Sequence, residues 1–435
     1  MDNYLFICYY FHPIKAVGSI RNSKLAKYIS RKNKLFVLST LNSLLFPKDS
    51  LLKDTKTFKL FRMPTFDYQT IKLLLLKINN LLKKNIVYFN PHKNISQKSF
   101  LKVVGLFPFN VLFGEGGFFY IVFNMLWGFY LIKRFNITRV YTSFSPFSDI
   151  VTGFILKKLF PHLVWVADFR DLPDTKNHGI LSFLNERLYR LVLRHADGLS
   201  AVSKGLAKTL RTYRKNIHVL RNGFDPDEGE TGRLRVDSFS FLYVGALYGS
   251  RRDPGLLMQA LKELVDKKQV DPKHVSFQYA GKEGRLFLDK AEEYGISSFC
   301  SDLKFLSRNR SLIRQKRSYF LVMLTWSSKD QKGIISGKFY EYLSARRPVI
   351  CLINGSRDKE IEDIFKRTKA GIVVYHKDQK SLGELKRFIL THYANFKKKR
   401  TAYDYNAAEV QKYSYDNLAE ELALIFRREG KQCAV

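Results

Sequence analysis

From Tyr4 onward the sequence alternates short, unbroken apolar runs with longer stretches of helical spacing. The runs "YLFICYY", "KLFVLST", "RVYTSFS", "HLVWVADFRD", "GLSAVS" and "IHVLRNGFD" are interleaved with "KAVGSIRNSKLAKYISRKN", a less regular Lys-rich region, "DIVTGFILKKLF", "FLNERLYRLVLRHA" and "KGLAKTLRTY". A run that is apolar at nearly every position is buried on both faces, the condition of a parallel strand covered by helices above and below. Parallel neighbours need a crossover, and the intervening helical stretches supply it. This pattern excludes all-β sandwiches and helical bundles and predicts an α/β chain. The runs end in polar or loop residues, so one edge of the sheet gathers polar groups, the edge at which open parallel sheets bind ligands.

The alternation comes in two series. From Pro226 to Val236 the stretch "PDEGETGRLRV" is polar and has no apolar period, as expected of a linker. A second series follows: "FSFLYVGAL", "VSFQYAG", a short strand at "LKFL", "YFLVMLTW", "PVICLI" and "AGIVVY", with helical stretches between them. At 435 residues the chain also exceeds the roughly 250–300 residues at which single cores stop growing. The expected organisation is a Rossmann-like N-terminal domain over residues 1–225, a linker over 226–236 and a second Rossmann-like domain over 237–405. A C-terminal helix within 406–435 packs on either domain, a return onto the first being one option.

Lysine and arginine outnumber acids 74 to 39, a formal net charge of +35. Roughly +23 of it lies before Asp225 and about +12 after, a field that attracts nucleic acid, anionic lipid or phosphorylated small molecules. The aromatic residues fall mostly in strands and on apolar helix faces, without the exposed basic-aromatic interleaving of stacking platforms, so nucleic acid is not the expected partner. Cys8, Cys300, Cys351 and Cys433 are scattered without paired spacing, which argues against a zinc site or a disulfide framework and fits a reducing cytosol. "MDNYLFICYYFHP" lacks the pattern of a secretory signal. The segment Phe118 to Ile132 is apolar but about 22 Å long as a helix, against about 30 Å of hydrocarbon. It reads as a buried core helix or as a segment dipping into a membrane surface, with Lys133 and Arg134 following it.

Three strand ends carry candidate chemistry. In "GIISGKFYEYLSARRPVI", Ser336 and Gly337 stand where a helix begins, and free backbone N–H groups there favour an anion. Lys338 adds a cation at an end that disfavours one by about 0.3–1 kcal/mol unless something negative is present, as a bound phosphate would be. Glu341, one turn on, suits the paired hydroxyls of a ribose. An ordinary capped helix with solvated Lys and Glu fits the same letters. In "YVGALYGSRRDPG", Arg251 and Arg252 lie in a strand-to-helix turn, and guanidinium groups grip phosphate bidentately. In "ADFRDLPD", Asp168, Arg170 and Asp171 follow a strand directly, so at least one is expected to orient an acceptor hydroxyl or take its proton, unless the turn is closed by an Asp-Arg ion pair. Gly18 marks the first strand-to-helix turn, without a full Gly-x-Gly-x-x-Gly pattern.

The ordered set "FHPIKAVGSIR", "SFSPFSDIVTGFILKK", "WVADFRDLPD", "RLVLRHADGLSAVSKGLAKTL", "VLRNGFDPDE", "FLYVGALYGSRRDPGLL" and "GIISGKFYEYLSARRPVI" resembles the family 4 glycosyltransferases, in particular a bacterial branch that makes surface polysaccharide such as capsule or O-antigen. The resemblance runs from residue 4 to about residue 374. It implies the GT-B fold, two Rossmann-like doubly wound domains facing a central cleft. The acceptor would sit on the first domain and a nucleotide-sugar donor on the second. By that similarity Glu341 matches the ribose-binding glutamate, Arg252 and Lys338 the diphosphate-binding basic pair, and Gly18 the glycine loop near the donor phosphates. Asp168 and its neighbours would line the acceptor side. The resemblance further implies transfer with retention, no metal or other cofactor, and a glycan or lipid-linked acceptor. An anionic membrane surface and a cytoplasmic, peripheral location on the inner face of the plasma membrane follow from it and from the basic first domain. One departure stands out: Gly333 occupies the position of the family's first glutamate. A nucleotide-sugar 2-epimerase of the same fold and a basic nucleic-acid-binding protein are the alternative readings.

Overall fold

The computed structural model describes residues 2–48, 57–82, 106–171, 180–228, 236, 238–249, 251–328, 335–400 and 402–432. They form two compact units, Met1–Arg221 with Tyr415–Val435, and Asn222–Ser414.

The first unit is built on a seven-stranded, fully parallel sheet. Its elements run β1 (Asn3–Ile7), α1 (Val17–Ile29), β2 (Lys34–Thr40), β3 (Lys59–Met63), α2 (Tyr68–Leu82), α3 (Gly117–Phe135), β4 (Arg139–Phe144), α4 (Phe147–Leu159), β5 (Val164–Phe169), α5 (Ile180–Leu193), β6 (Gly198–Ala201), α6 (Lys204–Leu210) and β7 (Ile217–Val219). The spatial order β3-β2-β1-β4-β5-β6-β7 reverses between β1 and β4, where Leu5 pairs with Val140. Phe6 and Ile7 on β1 and Val166 and Ala167 on β5 are all fully buried, because helices cover both faces. On one face Trp165, Phe144 and Phe169 pack against α4 and α5.

The second unit continues with β8 (Phe239–Val244), α7 (Gly255–Asp266), β9 (Val275–Ala280), α8 (Gly284–Glu293), β10 (Cys300–Asp302), α9 (Arg308–Arg317), β11 (Phe320–Ser327), α10 (Gly337–Ala345), β12 (Val349–Gly355), α11 (Lys359–Thr368), β13 (Gly371–Tyr375) and α12 (Gln379–Lys397). Its six parallel strands lie in the order β10-β9-β8-β11-β12-β13, with the reversal between β8 and β11.

Four details differ from the sequence reading. The short strand is Cys300–Asp302 rather than "LKFL", because the pairing with Phe277–Tyr279 ends at Asp302 and Lys304 turns into a left-handed conformation. The stretch from Ile217 is extended for only three residues, Ile217–Val219. Strand β3 and helix α2 occupy the region that lacked a clear period. The second unit begins at Asn222, earlier than the expected boundary, and most of the linker stretch lies outside the described residues.

The last helix, α13 (Tyr415–Gln432), belongs to the first unit. Leu418, Leu422, Ile425 and Phe426 recur at helical spacing and bury against Tyr4, Phe6, Leu25 and Tyr141, on the face of the sheet opposite Trp165. Tyr4 and Phe426 meet edge to face at 5.3 Å. The described part of the N-terminal core therefore depends on the final segment of the chain.

Candidate functional site

Each sheet has one point where strand order reverses, and there the loops leaving two neighbouring strands diverge and open a crevice. In the second unit these loops follow β8 and β11. The β8 loop folds back through two left-handed residues, Tyr248 (φ +52°) and Gly249 (φ +57°). Gly249 has open space where a side chain would stand. The loop is pinned by a group the sequence reading missed, Glu283, which follows β9. Its carboxylate accepts from the backbone N–H of Leu247 at 2.6 Å, Tyr248 at 3.3 Å and Gly249 at 3.2 Å. Three convergent amides are thus already satisfied by an internal anion, which leaves a ligand phosphate to the side chains beyond them.

Arg252 is the residue so placed. Its guanidinium carbon lies 4.7 Å from the Tyr248 ring centre and 5.3 Å from that of Trp326, at the end of β11. The two rings stand at 70° to each other, and this cation–π contact on two sides holds the charge without consuming its N–H groups. One of them, Nη1, reaches the Ala246 carbonyl at 3.4 Å. Burial pushes the nearby Tyr243 phenol up to about 12, with the Arg252 charge pulling against it. Arg251 is exposed and contributes its carbonyl, which accepts from Asn354 Nδ2 at 3.3 Å. Of the two arginines, Arg252 is the one held in place.

Helix α10 supplies the other side. Ser336 is its N-cap and makes no side-chain cap, and among the described residues nothing stands within 4 Å of where a Cβ on Gly337 would be. The Val244 N–H donates to Tyr342 Oη at 3.3 Å, tying α10 to the end of β8. Lys338 Nζ lies 2.9 Å from Glu341 Oε2, which also accepts from Gln315 Nε2 at 3.2 Å. Arg308 Nη2 stands 3.7 Å from Glu341 Oε1. The cation at the helix start is therefore answered in part by Glu341 itself, a negative group of the same helix, beside the bound phosphate that the sequence suggested. Glu341 is 9 % exposed, and among the described residues its Oε1 accepts no hydrogen bond. Gly333 lies outside the described residues.

In the first unit the crevice lies between the loops after β1 and β4. Gly18 is on the first turn of α1, and a Cβ there would overlap the Arg170 guanidinium. Arg170 is fixed by Nε to the Phe144 carbonyl at 3.2 Å and by Nη2 to the Ser145 carbonyl at 2.7 Å. Gly18 and Arg170, far apart in sequence, therefore meet at this edge. Close by is Glu115, which sequence reasoning passed over although an acid among Gly114, Gly116 and Gly117 is a signal of a built turn. Its Oε1 accepts from Tyr10 Oη at 2.7 Å, Gln69 Nε2 at 3.0 Å and Tyr68 Oη at 3.3 Å. Burial and the adjacent carboxylate push both phenols upward, so they remain donors.

Asp168 is not at this surface. It is fully buried and forms a fork with Arg21, Oδ2 to Nε at 2.8 Å and Oδ1 to Nη2 at 2.9 Å. Ser200 Oγ at 2.6 Å and Tyr141 Oη at 2.8 Å donate to it as well. Burial alone would raise its pKa, but Arg21 and these donors outweigh it and hold the carboxyl below the usual range. A carboxylate with four donors and no exposure cannot take a proton from an acceptor. Its partner is Arg21 rather than Arg170, and Arg21 also donates to the Leu220 and Arg221 carbonyls at 2.8 and 2.6 Å. Asp171 is exposed, at the edge of the described segment.

No family model matches the chain, and no curated protein matches it in sequence. Solved structures do. Sucrose-phosphate synthase from Thermosynechococcus elongatus superposes with a TM-score of 0.60 at 12% identity, over 98% of this chain and 99% of that one. The lipopolysaccharide outer core galactosyltransferase WaaB, in its apo form, gives 0.57 at 13%, over 98% and 99%. Anabaena HepE, solved with UDP and glucose, gives 0.56 at 11%, over 98% and 100%. At these identities the likeness is one of fold. The chain has two parallel-sheet Rossmann-like domains of seven and six strands and the GT-B fold of these glycosyltransferases.

Proposed function

We propose that the chain is a glycosyltransferase that moves a sugar from a nucleoside-diphosphate donor to a hydroxyl of a glycan, in bacterial surface polysaccharide synthesis. The observation that carries this reading is the placement of Arg252, held between Tyr248 and Trp326, and of the N-terminus of α10, without a side-chain cap, on the loops that leave β8 and β11 at the strand reversal of the six-stranded sheet. Arg252 and Lys338 are assigned to the donor diphosphate, together with the amides of Gly337 and Lys338. Glu341, whose Oε2 is held by Lys338 and whose Oε1 faces Arg308 Nη2 at 3.7 Å, is assigned to the ribose hydroxyls. On the first unit, Arg170 and Glu115 are assigned to the acceptor side, in place of Asp168.

In the reaction the bond from the sugar's anomeric carbon to the diphosphate oxygen breaks and a bond to the acceptor oxygen forms. The acceptor proton leaves with the departing phosphate or to solvent. Negative charge accumulates on the leaving diphosphate, and fixed cations and helix-terminal amides lower the barrier most where that charge develops. Arg252 and Lys338 do this as side chains, without a metal ion, and the anomeric configuration is retained. The acceptor is a lipid-linked saccharide, and the strongly basic chain works at the inner face of the plasma membrane, with no nucleic acid partner.

The test is release of nucleoside diphosphate from a panel of UDP-, GDP- and ADP-sugars, with lipid-linked saccharides as acceptors. One donor is expected to turn over, and Arg252→Ala is expected to lower kcat/KM by about 100-fold, of the order found on removing one charge-stabilising donor. Interconversion of epimers on the nucleotide without an acceptor would instead identify a 2-epimerase, the activity in the name of a Listeria monocytogenes structure with a TM-score of 0.50 at 11% identity, over 99% of this chain and 98% of that one.

A further inference from the structure

Helix α3 carries two apolar faces. Gly117, Tyr120, Ile121, Asn124, Gly128, Leu131 and Ile132 recur at helical spacing and are buried against the first unit. The opposite face should then be polar, because a helix that is apolar all round belongs in a core or in lipid. It is aromatic instead: Phe118, Phe119, Leu126 and Tyr130 are each at least half exposed, and Trp127 is 41% exposed. Helix α2 repeats the pattern with Ile71, Leu74, Leu75 and Ile78 exposed along one stripe. The two helices start together, since Asp67 accepts from the Gly116 N–H at 2.7 Å and the Tyr68 N–H donates to the Phe113 carbonyl at 3.1 Å. Two apolar stripes therefore start from one place on the first unit, each a run of neighbours along its helix rather than scattered residues, which alone would need no explanation.

Charge says what covers these stripes. Neither helix contains a single Asp or Glu. Lys77 on α2 and Lys133 and Arg134 at the end of α3 are exposed, and so is Lys59, which borders a shallow groove of about 360 Å³ between Trp127, Tyr130 and Phe135. Lys133 Nζ lies 5.1 Å from the Phe129 ring centre and Lys59 Nζ 5.7 Å from that of Phe135. A second copy of the chain docked by two-fold symmetry would set this cationic, acid-free face against itself and oppose like charges. Aromatic rings with a lysine and arginine fringe match the headgroup zone of an anionic bilayer, where ring bodies enter the acyl boundary and cations meet phosphate.

We propose that the outer faces of α2 and α3 are the surface by which the first unit lies on an anionic membrane, with Trp127 seated at the acyl boundary. No described helix is long and apolar enough to cross a membrane, so the contact is one of lying on the surface rather than spanning it. This inference rests on the membrane-side acceptor proposed above and gives it a place on the molecule.

The experiment uses the full chain with phosphatidylcholine vesicles, with and without about 30% phosphatidylglycerol, the anionic component supplying the surface potential. Binding is expected to the anionic vesicles, at least tenfold tighter than to neutral ones and weakened by salt. Brominated acyl chains are expected to quench tryptophan fluorescence, and Trp127→Phe, which leaves Trp165 and Trp326, should abolish the quenching while binding persists. Phe119→Asp combined with Leu126→Asp should weaken binding at least tenfold without altering thermal unfolding, since both sites are exposed. Binding without quenching from Trp127, binding untouched by the double substitution, or no binding at all would overturn the proposal. So would a dimer that the double substitution converts to a monomer, which would make the face a self-association surface. Stabilisation by soluble nucleoside diphosphates involves no lipid, so failure of the membrane face and failure of the transferase reading are read separately.

Discussion

At the scale of single residues the buried carboxylates divide by environment. Asp168 is matched by Arg21, and breaking a buried pair leaves an uncompensated charge, so Asp168→Asn is expected to cost about 3–5 kcal/mol of stability in chemical denaturation. The same variant, studied where it remains folded, should keep its response to nucleoside diphosphates, because Asp168 belongs to the first unit and reaches no ligand surface. Asp149 behaves oppositely. Burial raises its pKa well above the ordinary 3.8, despite donation from the Tyr9 N–H and the Tyr120 hydroxyl and the attraction of Arg170. A raised folded-state pKa means that the protonated form is the stabilising one. The contribution is complete below 3.8 and is lost as pH rises through the raised value. The stability of the wild type relative to Asp149→Asn is therefore expected to fall as pH increases from 3.8 towards the raised value and to level off above it, read from denaturation midpoints across a pH series. A difference that grew with pH would contradict this assignment.

At the scale of elements, two loops decide the sites, and each depends on a contact invisible in the linear order. Gly18 is required because its missing side chain leaves room for Arg170, which is anchored on the carbonyls of Phe144 and Ser145. Gly18→Ala is expected to displace that guanidinium and lower turnover at least tenfold with a midpoint shift of only a few degrees, checked by steady-state kinetics beside thermal unfolding. Glu283→Ala removes the anchor of three amides in the β8 loop and should cost about 1–3 kcal/mol. It should also weaken nucleoside-diphosphate binding, because Tyr248 no longer holds the Arg252 guanidinium against its ring. The strand and helix pattern was legible because runs such as Phe239–Val244 are apolar at almost every position, and parallel strands are the structures that bury both faces. Gly337, Lys338 and Glu341 were legible as a helix start for the same local reason. Glu283 and Glu115 were not, because their meaning comes from amides and phenols supplied by other segments. Asp168 misled because its position at a strand end is shared by ligand-facing and inward-facing carboxylates, and only the arrival of Arg21 from α1 distinguishes them.

At the scale of the whole molecule the chain closes on itself, since α13 completes the first unit after the second unit has been built. Leu418, Leu422, Ile425 and Phe426 are at most 3% exposed, and each is worth about 1.5–3 kcal/mol on burial. Truncation after Ser414 removes all four, an amount comparable to the about 5–15 kcal/mol that holds a domain together. The truncated chain is expected to lose the cooperative unfolding of the first unit while the second keeps its own transition in calorimetry. The central claim is that the six-stranded unit holds a nucleoside diphosphate at its strand reversal, and thermal unfolding with UDP, GDP, ADP and CMP tests it most directly. A ligand at a hundred times its Kd stabilises by about 2.7 kcal/mol, several degrees for a unit of this size. One diphosphate is expected to raise the midpoint of the wild type and to do so much less for Arg252→Ala. If none does, or if the variant responds like the wild type, the assigned site is not where the donor binds.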